Sequence, residues 1–212
     1  MLFHLIKKDF LLAKRYVVIM LFVSAAIPLF ILWRAPVFTG LVSFLSTVIF
    51  TELILYQYVS LAEAKYPEVD ALLCAAPYTR SSIVEAKYAF FLVVFIICFI
   101  VYSVLAFFIP QIGKLDLRTV LSVFLFCAIP YGVYMPFQFK YGYEKTKFAF
   151  ILIIMLVSFG IPLIYNANIS VDISAFSNMA AIAQYILLIT AAVLVLGISM
   201  MISINIYMKK EL

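Results

Sequence analysis

Charge is what this sequence has least of. Of 212 residues, 15 are Lys or Arg and 10 are Asp or Glu, so 12% are charged. A water-soluble domain carries about 25%. With 67% hydrophobic and 17% aromatic residues, a soluble fold could not cover the apolar side chains with so few polar groups. Histidine is nearly absent: His4 is alone, which excludes a histidine-based metal site or triad built from this chain by itself. The three cysteines, Cys74, Cys98 and Cys127, are dispersed and form no CxxC pair, so they read as small apolar fillers without a disulfide framework. The chain also lacks G-x-x-x-x-G-K-[ST], and none of its six glycines precedes Lys-Ser or Lys-Thr, so it does not cradle ATP phosphates in that manner. No set of nucleophile, base and metal ligands converges in the apolar segments, which argues against an intramembrane protease or lipid transferase. The basic start and the apolar run after it resemble a signal peptide, but the run passes Leu32 without an A-x-A-like site, so no cleavage is expected.

What the chain has is apolar length. A helix needs about 20 apolar residues to cross the hydrocarbon core, and six segments qualify: 16–33, 37–59, 88–109, 117–138, 148–165 and 179–207. The expected fold is therefore an all-α polytopic membrane protein, one transmembrane domain over 1–212. Trp33-Arg34-Ala35-Pro36 makes a turn, Pro110 ends the third span, and Lys147 opens the fifth. Pro130 and Pro136, and Gly160 with Pro162, are expected to kink the fourth and fifth spans. The sixth is long enough for its first turns to form a separate interfacial or re-entrant piece.

Lys and Arg set the orientation. With the N-terminus in the cytoplasm, the inner segments carry Lys7, Lys8, Lys14, Arg15, Lys65, Arg80, Lys87, Lys140, Lys145, Lys147, Lys209 and Lys210. The outer ones hold Arg34, Lys114 and Arg118. Both ends are thus expected inside, in a plasma membrane. The net charge of +5 is accounted for by topology and anionic lipid, without a nucleic acid partner.

Residues 1–15 form the second feature. At 100° per residue His4, Lys7, Lys8, Leu11, Lys14 and Arg15 fall on one side, and Leu2, Phe3, Leu5, Ile6, Phe10, Leu12 and Ala13 on the other. This is an amphipathic entry helix suited to the inner interface, as an anchor or as a lever on a cytoplasmic partner. Asp9 falls inside the apolar arc, where a carboxylate either finds a basic partner or snorkels to water.

The longest polar loop, 60–87, is the third. Tyr66-Pro67 breaks the preceding helix, and Pro67 suits the first position of a new one. Val69, Leu72, Leu73 and Ala76 give that short helix an apolar face, with Glu68 and Asp70 favouring its dipole in the first turn. Pro77 ends it and Thr79-Arg80-Ser81 reads as a turn. Ser82-Ile83-Val84-Glu85 has capping-box spacing, so Ser82 and Glu85 are expected to cap the third span. The apolar face must be covered by lipid headgroups, by this chain, or by a groove in another protein.

Leu72-Leu73, Pro77, Thr79-Arg80 and Ile83-Val84-Glu85-Ala86-Lys87-Tyr88, together with the opening Leu5–Arg15, resemble the small permease subunits of bacterial ABC-2 type transporters, as in Gram-positive bacteria. The likeness covers the whole chain in layout. It implies a coupling helix at Glu68–Ala76 that docks on a separate ABC ATPase, with Thr79-Arg80 relaying motion to the third span. It also implies ATP and Mg2+ bound by that ATPase, no cofactor on this chain, and a second permease chain, identical or different, to complete twelve spans.

A substrate path has fewer markers. Gly40, Ser43, Thr47 and Thr51 make a small-residue stripe along the second span, which fits either close helix packing or a path lining. Glu52 beside it is the one acid well inside a predicted span, with Gln57 a turn nearer the cytoplasm. Glu52 either serves a cationic group or partner lysine, or lies near enough to the interface to reach water. Apolar and aromatic walls in the fourth and fifth spans suit an amphipathic peptide or lipid-like cargo. The resulting expectation is an ATP-driven exporter of amphipathic peptides. A lipid or drug exporter, or a non-transporting sensor or immunity scaffold with an ATPase, is the alternative.

Overall fold

A backbone inside lipid must satisfy its own hydrogen bonds, and each apolar segment seen here does so as a helix. The computed structural model describes residues 2–65, 79–146, 148, 152 and 180–209. Among these the chain is helical, with no strand: α1 (Leu2–Leu12), α2 (Lys14–Arg34), α3 (Leu41–Lys65), α4 (Arg80–Phe108), α5 (Leu117–Tyr141) and α6 (Ala181–Met208). Short 3-10 turns at Pro36–Phe38 and Pro110–Ile112 follow α2 and α4, each with proline at its first position. The five helices α2 to α6 are long and apolar enough to cross a membrane. The predicted span 148–165 lies outside the described residues apart from 148 and 152.

Several sequence expectations change. The loop 60–87 shrinks from both sides, because α3 continues to Lys65 and α4 already begins at Arg80. α5 is one helix that contains both Pro130 and Pro136. α6 is continuous from Ala181, so no separate re-entrant piece precedes it among the described residues. The entry helix stops at Leu12, and Lys14 and Arg15 open α2 after a one-residue turn at Ala13. Its buried side is the four-residue repeat Leu5, Asp9 and Ala13, at 3%, 1% and 1% exposure, packed on protein. Part of the arc expected to face lipid thus covers the bundle, with Phe10 against Phe90 at 4.8 Å between ring centroids, while Phe3 and Leu12 stay exposed.

α3 is the central helix. More than half of its apolar window is buried (56%), against 17% for α2 and 22% for α6. Phe44, Val48, Leu55 and Val59 on α3 are fully buried with Phe91, Val94 and Tyr102 on α4 and Val123 and Met135 on α5. At the end holding Arg34, Lys114 and Arg118, the Tyr102 hydroxyl donates to the carbonyls of Ile112 at 3.2 Å and Gly40 at 3.4 Å. The two turns meet through Gly40 and Gly113, both at φ +86, where a side chain would be strained. α6 approaches α5 closely at Gly132, where an added Cβ would sit 3.2 Å from Val195 Cγ1. The Ser199 hydroxyl donates to the Gly132 carbonyl, and the Tyr88 hydroxyl bonds Ser199 Oγ at 2.6 Å and Ser203 Oγ at 2.9 Å. That network fastens α4, α5 and α6 together.

Candidate functional site

A buried charge must be paired, or its desolvation is not offset. Three of the bundle's acids sit in or beside the apolar region, and they divide on this point. Asp9 on α1 is 1% exposed and Lys87 on α4 is 5% exposed, and the two meet at 3.2 Å (Asp9 Oδ2 to Lys87 Nζ). Lys87 Nζ also donates to Glu63 Oε1 of α3 at 2.6 Å. Lys8 closes the set, donating to Glu63 Oε1 at 3.1 Å and lying 3.2 Å from Asp9 Oδ1. Two lysines and two carboxylates from three helices form a neutral cluster. Of the two readings of Asp9, the packing gives the basic partner; the side chain does not reach water.

The cluster's position matters. Glu63 is near the end of α3 and Lys87 is two turns into α4, so the two stems of the connecting loop are joined to each other and to α1. The start of α4 is tied a second time. Arg80 Nη1 donates to the backbone carbonyls of Tyr207 at 3.4 Å and Met208 at 3.1 Å. Those carbonyls belong to the last turn of α6, which carries the negative end of the helix dipole. Nearby, the Gln138 amide on α5 donates to Ser60 Oγ on α3 at 2.8 Å. Among the described residues α1, α3, α4, α5 and α6 are thus each hydrogen-bonded or ion-paired to another helix at this lysine-rich end, and Tyr16 of α2 stacks on Tyr58 of α3.

The cap of α4 differs from the expected one. The N-cap is Thr79, with extended backbone (φ −73, ψ 146), and its hydroxyl accepts from the Ser82 N–H at 3.3 Å. Ser82 occupies the third helical position, with its hydroxyl 2.7 Å from that of Thr79. Ser82 and Glu85 are therefore not the cap, and Thr79-Arg80-Ser81 is the first turn of the helix. The physical reason is Arg80: starting the helix one turn earlier brings its guanidinium to the end of α6.

Glu68, Val69, Asp70, Leu72, Leu73 and Ala76 lie outside the described residues. Lys7, Lys14 and Arg15 are exposed. Ser43, Thr47 and Thr51 are 0% exposed, and Thr47 donates to the carbonyl of Ser43 at 2.8 Å. Among the described residues the stripe is buried in the interior of the bundle, and Gly40 precedes α3 in a turn. Glu52 and Gln57 are half-buried. Glu52 borders a small space with Tyr56, Phe90, Phe91, Val94 and Tyr131, and its Oε1 is buried with no hydrogen-bond partner.

Sequence reasoning did not join Glu63 and Lys87. The available signal was that they are the charges nearest the membrane on the two stems of one loop. The Arg80 link had no local signal, because its acceptors are backbone carbonyls on the final helix. Among the described residues no group of His, Cys, Asp and Glu could hold a metal ion. Cys98 and Cys127 are buried free thiols.

A protein-family model described as "ABC-2 family transporter protein" matches residues 4–208. No curated protein and no solved structure matches the chain.

Proposed function

The chain belongs to the ABC-2 transporter family as one of its membrane permeases, and from that premise we propose that it forms the transmembrane half of an ATP-driven exporter for amphipathic peptides. The lysine-rich end faces the cytoplasm, following the bias of Lys and Arg. The segment Glu68–Ala76, which its sequence pattern makes a short amphipathic helix, docks on a separate ATPase through Val69, Leu72, Leu73 and Ala76, with Glu68 and Asp70 as its leading acids. ATP and Mg2+ belong to that ATPase. A second permease chain completes the assembly, and the largely unburied surfaces of α2 and α6 offer area to it and to lipid.

The observation that carries this reading is the bonding of the loop's two stems. A push on the loop enters the bundle at the end of α3 and the start of α4. Asp9, Glu63, Lys8 and Lys87 make those stems and α1 move together, and Arg80 adds α6. A loop meant only to connect two spans needs no such joint. A loop that receives force does.

Co-expression with candidate ABC ATPases tests the proposal. The pair should co-purify, and Leu72→Asp or Leu73→Asp should abolish the complex while leaving membrane insertion intact. Absence of a complex with the unaltered chain would remove the ATPase reading. In reconstituted vesicles, ATPase activity should rise severalfold with a cationic amphipathic peptide. Activity indifferent to every peptide would favour the sensor or immunity scaffold.

A further inference from the structure

Glu52 is treated differently from the other buried acids. All four ion pairs among the described residues involve Asp9 or Glu63, and Glu52 has none. Nor does the rest of the chain supply a cation. Segments 66–78 and 153–179 contain no Lys, Arg or His, and neither does the predicted span 148–165. The basic residues outside the described set are Lys147 and Lys210, which adjoin the lysine-rich end. Glu52 stands near the middle of α3, about 20 Å of helix rise from Lys65, beyond the reach of a lysine at that end.

The space that Glu52 borders has a recognisable chemistry. It is walled by the rings of Tyr56, Phe90, Phe91 and Tyr131 with Val94. Phe91 stacks on Tyr131 at 4.3 Å, and Tyr56 meets Tyr131 edge-on at 5.7 Å. The Tyr131 hydroxyl is already committed to the Lys87 carbonyl at 2.9 Å, so its ring and not its hydroxyl is what remains for a ligand. About 10 Å³ of the space admits the centre of a water-sized sphere, which is room for one such group. A carboxylate among aromatic faces attracts a cation through both its charge and the ring quadrupoles. Glu52 as a whole is half-buried, whereas its Oε1 is buried.

We propose that this carboxylate-and-aromatic cavity binds the primary ammonium group of an amphipathic cargo. The inference rests on the permease reading and narrows its substrate class: the cargo carries a small cationic head that reaches mid-membrane depth beside an apolar body.

The test uses the purified full chain in phosphatidylcholine nanodiscs, with dodecylamine as probe and dodecanol as the neutral comparator. Saturable binding above lipid partitioning is expected for dodecylamine and absent for dodecanol. Glu52→Gln, which keeps the side-chain shape, should weaken it by about tenfold or more, and Tyr56→Leu by several fold through loss of one ring face. Glu52→Gln binding equal to that of the unaltered chain, or dodecanol binding equal to dodecylamine, would overturn the assignment. Ammonium binding by a chain that forms no ATPase complex would refute the exporter reading alone. An ATPase complex with no ammonium binding would refute this inference alone.

Discussion

Replacing Lys87 by methionine keeps the length and apolar bulk of the side chain and removes its charge from the cluster. Two carboxylates then remain with one lysine, and the cluster carries a net negative charge in a region where Asp9 is 1% exposed. Removing one partner of a buried pair costs about 3–5 kcal/mol, because the other charge is left desolvated. Lys8 still lies within 3.2 Å of both acids, although its side chain is 25% exposed and so screened by water. The expected loss is therefore at the lower bound, about 3 kcal/mol. Adding Asp9→Asn restores neutrality and leaves the Lys8–Glu63 contact at 3.1 Å. The double variant should be less destabilised than the sum of the two single ones by about 1–3 kcal/mol. Equilibrium unfolding of the purified chain by SDS titration in mixed micelles, followed by far-UV circular dichroism, measures both quantities. A Lys87→Met variant within about 0.5 kcal/mol of the parent, or a strictly additive double variant, would refute the cluster as a joint.

Arg80→Ala removes the donor to the Tyr207 and Met208 carbonyls and should cost about 1 kcal/mol, seen as faster amide exchange in the last turn of α6 with the start of α4 unchanged. Thr79→Ala should cost about 1 kcal/mol in the same unfolding titration, whereas Ser82→Ala, which keeps the capped N–H, should change it by a few tenths. The opposite ranking would reinstate Ser82 and Glu85 as the cap. Gly132→Val forces atoms into the 3.2 Å approach of Val195 and should lower stability by about 1–3 kcal/mol, against about 1 kcal/mol for Ser199→Ala, which deletes the contacts to the Gly132 carbonyl and the Tyr88 hydroxyl.

Five of the six expected spans are present among the described residues, and they were legible because their cause is local: a run of apolar residues is its own signal for a helix in lipid. Asp9 was legible as an anomaly, since a carboxylate in an apolar arc violates the helix pattern at one position. Its partners were not legible, because Glu63 and Lys87 are distant in sequence and reach it only after α1 folds across the two stems. The cap of α4 failed for another reason. Ser82-x-x-Glu85 carries the local capping-box pattern, yet the helix starts after Thr79, where Arg80 reaches the end of α6, a contact that no local pattern announces. The small-residue stripe was ambiguous in principle. Ser43, Thr47 and Thr51 look the same in sequence whether they line a path or let helices close, and their zero exposure identifies close packing.

A cluster of four charges is a curious choice for a joint, since a well-packed apolar one of equal volume would be at least as stable. Its advantage is register. Apolar helix faces can slide by a turn and still bury the same area, whereas contacts at 2.6 to 3.2 Å between Lys87, Glu63, Asp9 and Lys8 are lost by such a slip. Transmission of a push needs a joint that does not slip, and the stems of the loop are where slippage would waste it. The same logic separates Glu52 from the others. The acids that hold helices together are balanced by lysines of this chain, and the one in mid-span has no ion pair among the described residues. A bundle that neutralises charges so fully at its end, yet leaves Glu52 facing aromatic rings at its centre, is built for a cation that arrives from outside.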